Sequence, residues 1–122
     1  MTPELKSAFH AEMAAARHDI LAGRLDSGMR HLGTAHVLGQ YHVLPHCWTH
    51  WMMLRVAYKR RRYADVCGQA VRIILGAFGS LIGIVPRGNT GGSDVGMFKS
   101  MPIDPGLKAL IKRDRRPGQI DE

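Results

Sequence analysis

Leu5, Phe9, Met13, Ala16 and Ile20 recur at intervals of three and four residues, a spacing that lays them along one face of an α-helix. Thr2 stands where an N-cap belongs, Pro3 falls at a first helical position, and Gly23 supplies a stop, so the pattern predicts a helix over 3–22. The same reading continues down the chain. Met29, Leu32, Ala35, His36 and Gly39 share a face of a helix expected over 26–40. Pro45 opens a third helix expected over 45–59. A fourth is expected over 63–84, ending before Pro86, with Cys67, Ala70, Ile74, Ala77 and Leu81 as its inner stripe.

These segments predict an all-α fold: a four-helix arrangement made of two helix hairpins. The hairpins resemble each other. Leu25 and Tyr63, 38 positions apart, follow comparable turns, as in two tetratricopeptide-like units. The period of that repeat is about 34 residues and three copies are usual, so a compact four-helix body is expected rather than a solenoid. Small residues four apart on the fourth helix (Gly76 and Ser80, Gly79 and Gly83) call for a close neighbour, either helix 1 or 2 or a second chain. The stretch 85–106 is rich in glycine and proline and reads as a loop. Val95, Met97, Phe98, Met101 and Ile103 are spaced through it, so the loop is expected to wrap the helical body. Leu107 to Lys112 read as one or two closing helical turns. The organisation expected is one helical domain over 1–112 and a flexible tail over 113–122.

Composition narrows the setting. The most apolar run, Ile73 to Val85, has 13 residues between Arg72 and Arg87. A helix needs about 20 to cross a bilayer, so this run is read as a buried helix and no membrane span is expected. The N-terminus lacks the basic and apolar regions of a secretory leader. Cys47 and Cys67 have neither CxxC spacing nor the look of a disulfide framework, which fits reduced thiols and a cytoplasmic location. The formal charge of +7 comes largely from Lys59–Arg62 and the basic run at 112–116. Such runs permit nucleic-acid binding, but solvated helix ends account for them as well, and nucleic acid is the less favoured partner.

The chemistry concentrates in the histidines. Four of the seven fall within 36–50. His46 and His50 sit four apart, on one helical face, close enough for both imidazoles to reach one Zn, Ni, Co or Cu ion. His36 lies near the end of the preceding helix and is expected to face them. Glu12, beside the apolar stripe of helix 1, is a candidate oxygen ligand or partner, giving a mixed carboxylate–histidine site inside a bundle. His42 is separated from His46 by a break in register at Pro45. Cys47 and the neighbouring Met52 and Met53 suit a softer metal or, equally, a core. The alternative for the whole group is histidines packed beside Trp48, Trp51 and Met52 and bonded to backbone. The motif is not HExxH, because Cys47 and Trp48 follow His46.

A second candidate is the run Arg87, Gly88, Asn89, Thr90, Gly91 and Gly92, whose amides would form an anion- or partner-binding loop. Neither a phosphate loop nor a dinucleotide fingerprint is present. No nucleophile elbow or convincing carboxylate pair appears, so an enzyme is not the expected reading.

In combination, Ala35-His36-Val37-Leu38-Gly39-Gln40, His46 and His50 with Met53, Gly68-Gln69, and Gly88-Asn89-Thr90-Gly91-Gly92 resemble an uncharacterised bacterial family of small domains of unknown function. The resemblance spans roughly residues 5–107. It implies an association with heavy-metal resistance gene neighbourhoods, and it marks His36, His46, His50, Asn89 and Thr90 as recurring positions, with His42 and Cys47 outside them. The function expected is a transition-metal-binding accessory, buffer or sensor protein. The alternatives are a helical interaction module that binds a protein partner or a second copy, and a nucleic-acid-binding protein.

Overall fold

A computed structural model describes residues 1–115. Over these the chain is all-α, with five helices: α1 (Pro3–Leu21), α2 (Leu25–Gly39), α3 (Val43–Lys59), α4 (Tyr63–Ile82) and α5 (Pro105–Asp114). The expected loop lies between α4 and α5. The last helix runs further than the one or two turns expected, because Asp104 caps it. Its carboxylate accepts from the backbone N–H groups of Gly106 and Leu107, and Pro105 fills the first position. Arg113 and Asp114 thus belong to α5 rather than to a tail. The rest of the tail expected over 113–122, from residue 116 onward, lies outside the described residues.

α1 starts as its sequence dictates, with the Thr2 hydroxyl accepting from the Leu5 N–H. Its buried face is Leu5, Phe9, Met13, Ala16 and Ile20. These pack with Leu32, Ala35 and Leu38 of α2, Met53 and Val56 of α3, and Ile111 of α5. Each large side chain fully buried in this way contributes about 1.5–3 kcal/mol. α1 packs on α2, α3 on α4, and α2 on α3, while α5 rests against α1 and α2. Asp114 ties α5 down by accepting from His42 Nε2 at 2.6 Å and from the Thr2 N–H.

The two interhelical turns are the same structure, 38 positions apart. In the first, Ala22, Gly23 and Arg24 donate their backbone N–H groups to His18, Ile20 and Asp19; in the second, Arg60, Arg61 and Arg62 donate to Val56, Tyr58 and Ala57. The left-handed residue is Gly23 in one and Arg61, at φ 56°, in the other. The basic run here is partly neutralised: Arg60 pairs with Asp26 and Arg62 with Asp65.

Three expectations are corrected. α3 begins at Val43, before Pro45, because a proline in the first turn forfeits no intrahelical bond. α4 stops at Ile82, where Gly83 turns left-handed at φ 76°. The third concerns the orientation of α4. Its buried residues are Gln69 and Ser80, whereas Ile74, Phe78 and Leu81 are 60%, 66% and 73% exposed and Cys67 is exposed too. Tyr63, Ala64, Cys67, Val71, Ile74, Leu75, Phe78, Leu81 and Ile82 together make an outward face without a charge. The run read as a buried helix therefore shows its apolar side outward. By length and composition α4 is also apolar enough to cross a membrane, although it packs along α3. In the following loop Ile103 packs on the core as expected, while Phe98 is exposed.

Candidate metal centre

The inward face of α4 is polar and small because it meets histidines. Gly76 lies against the imidazole of His46. A Cβ at Gly76 would stand 2.9 Å from His46 Cε1, so only glycine leaves room for the ring. For Gly76 and Ser80 the close neighbour is thus a side chain of α3, not helix 1 or 2, whereas Gly79 lies against the Ile84 carbonyl and Gly83 has open space.

His36 of α2 and His46 and His50 of α3 converge. The His36 and His50 Nε2 atoms are 3.0 Å apart, those of His50 and His46 are 3.1 Å apart, and all three rings are buried. One donor atom from each lies within 4.8 Å of the other two. A tetrahedral ion with nitrogen bonds of about 2.0–2.1 Å holds its nitrogens about 3.3 Å apart, close to the separations of His50 Nε2 from its two neighbours.

The opposite nitrogen of each ring is anchored. His36 Nδ1 faces the Asn89 carbonyl oxygen at 2.6 Å, and His50 Nδ1 faces Gln69 Oε1 at 2.7 Å. The orientation of the Gln69 amide is set by its Nε2, which donates to the Gly91 carbonyl. His46 Nδ1 faces the Ser80 hydroxyl, whose own hydrogen goes to the Gln40 carbonyl at 2.7 Å. Each of the three partners can therefore only accept. With the hydrogens assigned to Nδ1 in all three rings, the Nε2 lone pair of His50 faces those of His36 and His46. Acceptors facing acceptors at 3 Å repel unless a cation lies between them. Protonation does not relieve this near neutral pH. Burial holds both His46 and His50 at about 4, and burial followed by the neighbouring rings pushes His36 well below its ordinary 6.5.

The glycine-rich loop completes the support. Asn89 Nδ2 donates to the carbonyls of Gly96 and Lys99, and its Oδ1 accepts from the Gly91 N–H. Gly91, at φ 78°, lies so close to His36 that a Cβ would stand 2.7 Å from its Cδ2. Arg72 of α4 clamps the loop by donating to the carbonyls of Gly91, Gly92 and Val95. Gly88 is pressed on the Met101 carbonyl, and Thr90 packs against Gly33. Asn89 and Gly91 thus hold His36, and the amide of Gly91 is spent on Asn89 rather than open to an anion. Arg87 lines a separate hollow with Tyr41 and Arg115.

Glu12 is not brought to the histidines. The register of α1 sets its carboxylate 2.7 Å from His31 Nδ1, and that ring also lies 3.8 Å from Asp19. Cys47 is outside the cluster as well. Its thiol points at the Ile73 carbonyl, and burial raises it above the ordinary thiol range. The roles of Ser80, Gln69 and Arg72 were not foreseen; the signal was a polar, small-residue face (Gln69, Arg72, Gly76, Ser80) on an otherwise apolar helix.

A family model described as "Protein of unknown function (DUF3703)" matches residues 3–111, and the chain belongs to that family. No curated protein and no solved structure matches the chain.

Proposed function

We propose that this chain is a transition-metal-binding protein, serving as an accessory, buffer or sensor, with the Nε2 atoms of His36, His46 and His50 as ligands. The observation that carries the reading is the convergence of three buried rings, one donor atom of each within 4.8 Å of the others, with every Nδ1 facing an acceptor so that the Nε2 lone pairs are left for an ion. Metal-bound histidines commonly donate the other ring N–H to a carbonyl or similar acceptor, which fixes the ring and raises its basicity. Three imidazoles without a thiolate suit Zn, Ni, Co or Cu(II) better than Cu(I). The test is to load the purified chain with each ion, desalt it and count metal by elemental mass spectrometry. One ion per chain is expected, lost in the His46→Ala/His50→Ala variant. Stoichiometric binding by that variant would refute the site.

The outward face of α4 supports a second reading, in which tetratricopeptide-like helix pairs form an interaction module and a second copy covers that face. Phe78→Ser with Leu81→Ser should then turn a dimer into a monomer in sedimentation. A wild-type monomer at all concentrations would dispose of this reading.

A further inference from the structure

The three histidines form one wall of a cavity of about 300 Å³ between α2, α3, α4 and the loop. The rest of the wall is mostly apolar: Val85 and Met97 contribute, and Leu75, Ile84 and Phe98, each exposed on its other side, frame the mouth. Gln40 also lines it. Gln40 caps α2 with helical backbone angles, one turn after His36, which places it on the same side as that ring. It is only 1% exposed, yet neither its amide nitrogen nor its amide oxygen has a partner. A buried amide without partners costs free energy, and such groups are rare unless something outside the chain satisfies them.

Charge defines what that is. Three neutral imidazoles leave both positive charges of a divalent ion uncompensated in a buried place. No aspartate or glutamate lines the cavity among the described residues. Arg72, on the same wall, adds a further positive charge, with Asp94 and Asp65 acting on it from outside. Three protein ligands also leave a zinc-like ion one position short of four. The missing ligand is therefore an anion, and the walls call for one that is apolar apart from its head.

We infer that the cavity binds a small monocarboxylate, with one carboxylate oxygen on the metal held by His36, His46 and His50, the other accepting from the Gln40 amide, and the hydrocarbon body against Leu75, Ile84 and Phe98. A carboxylate offsets one of the ion's two positive charges and gives the Gln40 Nε2 the acceptor it lacks. The volume lies at the small end of ligand cavities, which run from about 300 to 1,000 Å³, and so limits the body to a few carbons or one ring. The binding step is a ligand exchange in which the carboxylate takes the place of water on the ion. This inference rests on the metal reading.

The test uses the full chain loaded with Co(II), whose visible absorption reports the fourth ligand. Acetate and hexanoate are titrated separately at neutral pH. Each methylene buried strengthens binding about fourfold, so hexanoate should shift the spectrum at concentrations at least about tenfold lower than acetate. In cobalt-saturated Gln40→Ala protein, hexanoate should bind about tenfold more weakly, the loss of one hydrogen bond to a charged group. A cobalt spectrum that ignores both acids, answers only to hydroxide or halide, or shows no preference for hexanoate overturns the inference while leaving the metal site standing. A chain that takes up no cobalt refutes the metal reading itself, and the carboxylate with it.

Discussion

His36 Nδ1 and the carbonyl oxygen of Asn89 are 2.6 Å apart, although 53 positions separate them in the chain. That contact links the loop after α4 to the histidine pair on α3, because His36 is the ring that both meet. The Asn89 side chain keeps the loop in place through the carbonyls of Gly96 and Lys99. Replacing Asn89 by Ala should leave three histidines present but His36 poorly held. Loss of such outer support typically weakens metal binding about 10- to 100-fold. Competition with a chromophoric chelator measures this, and unchanged affinity would show that the loop does not position the ring.

Two glycines on α4 should respond unequally to the same change. Gly68 has no neighbour within 4 Å of an added Cβ, so Gly68→Ala should raise stability by up to about 1 kcal/mol. At Gly76 the added methyl would meet His46 at 2.9 Å. Gly76→Ala should gain less stability or lose some, and should weaken metal binding. Thermal unfolding and metal titration of both variants decide this, and equal behaviour would argue against close packing of α4 on His46.

The pH dependence of the metal-free chain follows from the depressed histidines. His46 and His50 titrate at about 4 when folded, against an ordinary 6.5. Between these values the unfolded chain binds protons that the folded chain excludes, so stability rises with pH across that window. The contribution is fully present above about 6.5 and lost as pH falls through about 4. Asp19, held at about 2 by Ser27 and then Arg24, acts only below its ordinary 3.8 and does not confuse the window. Urea unfolding at pH 7.5, 5.5 and 4.5 should show a steep loss, and a flat profile would mean that the rings are not buried as neutral groups.

Arg61 occupies the left-handed position that glycine fills in the first turn. That conformation costs a residue with a Cβ about 1–2 kcal/mol. Arg61→Gly should therefore stabilise the chain by about 1 kcal/mol after the entropy lost with glycine, read as a shift in the denaturation midpoint. No gain would mean that the second turn relaxes in solution.

Much of this was legible locally. His46 and His50 share a face by helical spacing alone, and the repeat offset of 38 positions returns in the hydrogen bonds of both turns. Glu12 was misplaced because the register between helices depends on tertiary packing, which sets its carboxylate against His31. The inner stripe assigned to α4 failed for a different reason. Apolar periodicity normally marks the buried side, but here the histidines need Ser80 and Gln69 to anchor them and Gly76 to make room. The inward face was given to that task, and Ile74 and Leu81 were left outside. The anchors Ser80 and Asn89 come from segments far from the histidines they hold, so no local pattern joins them.

The most direct test of the centre is X-ray absorption at the zinc edge of the loaded protein. Three imidazole nitrogens at about 2.0–2.1 Å with one further light-atom ligand is the predicted shell. A sulfur shell at about 2.3 Å, or zinc coordinated by oxygen without imidazole scattering, would contradict the assignment of His36, His46 and His50.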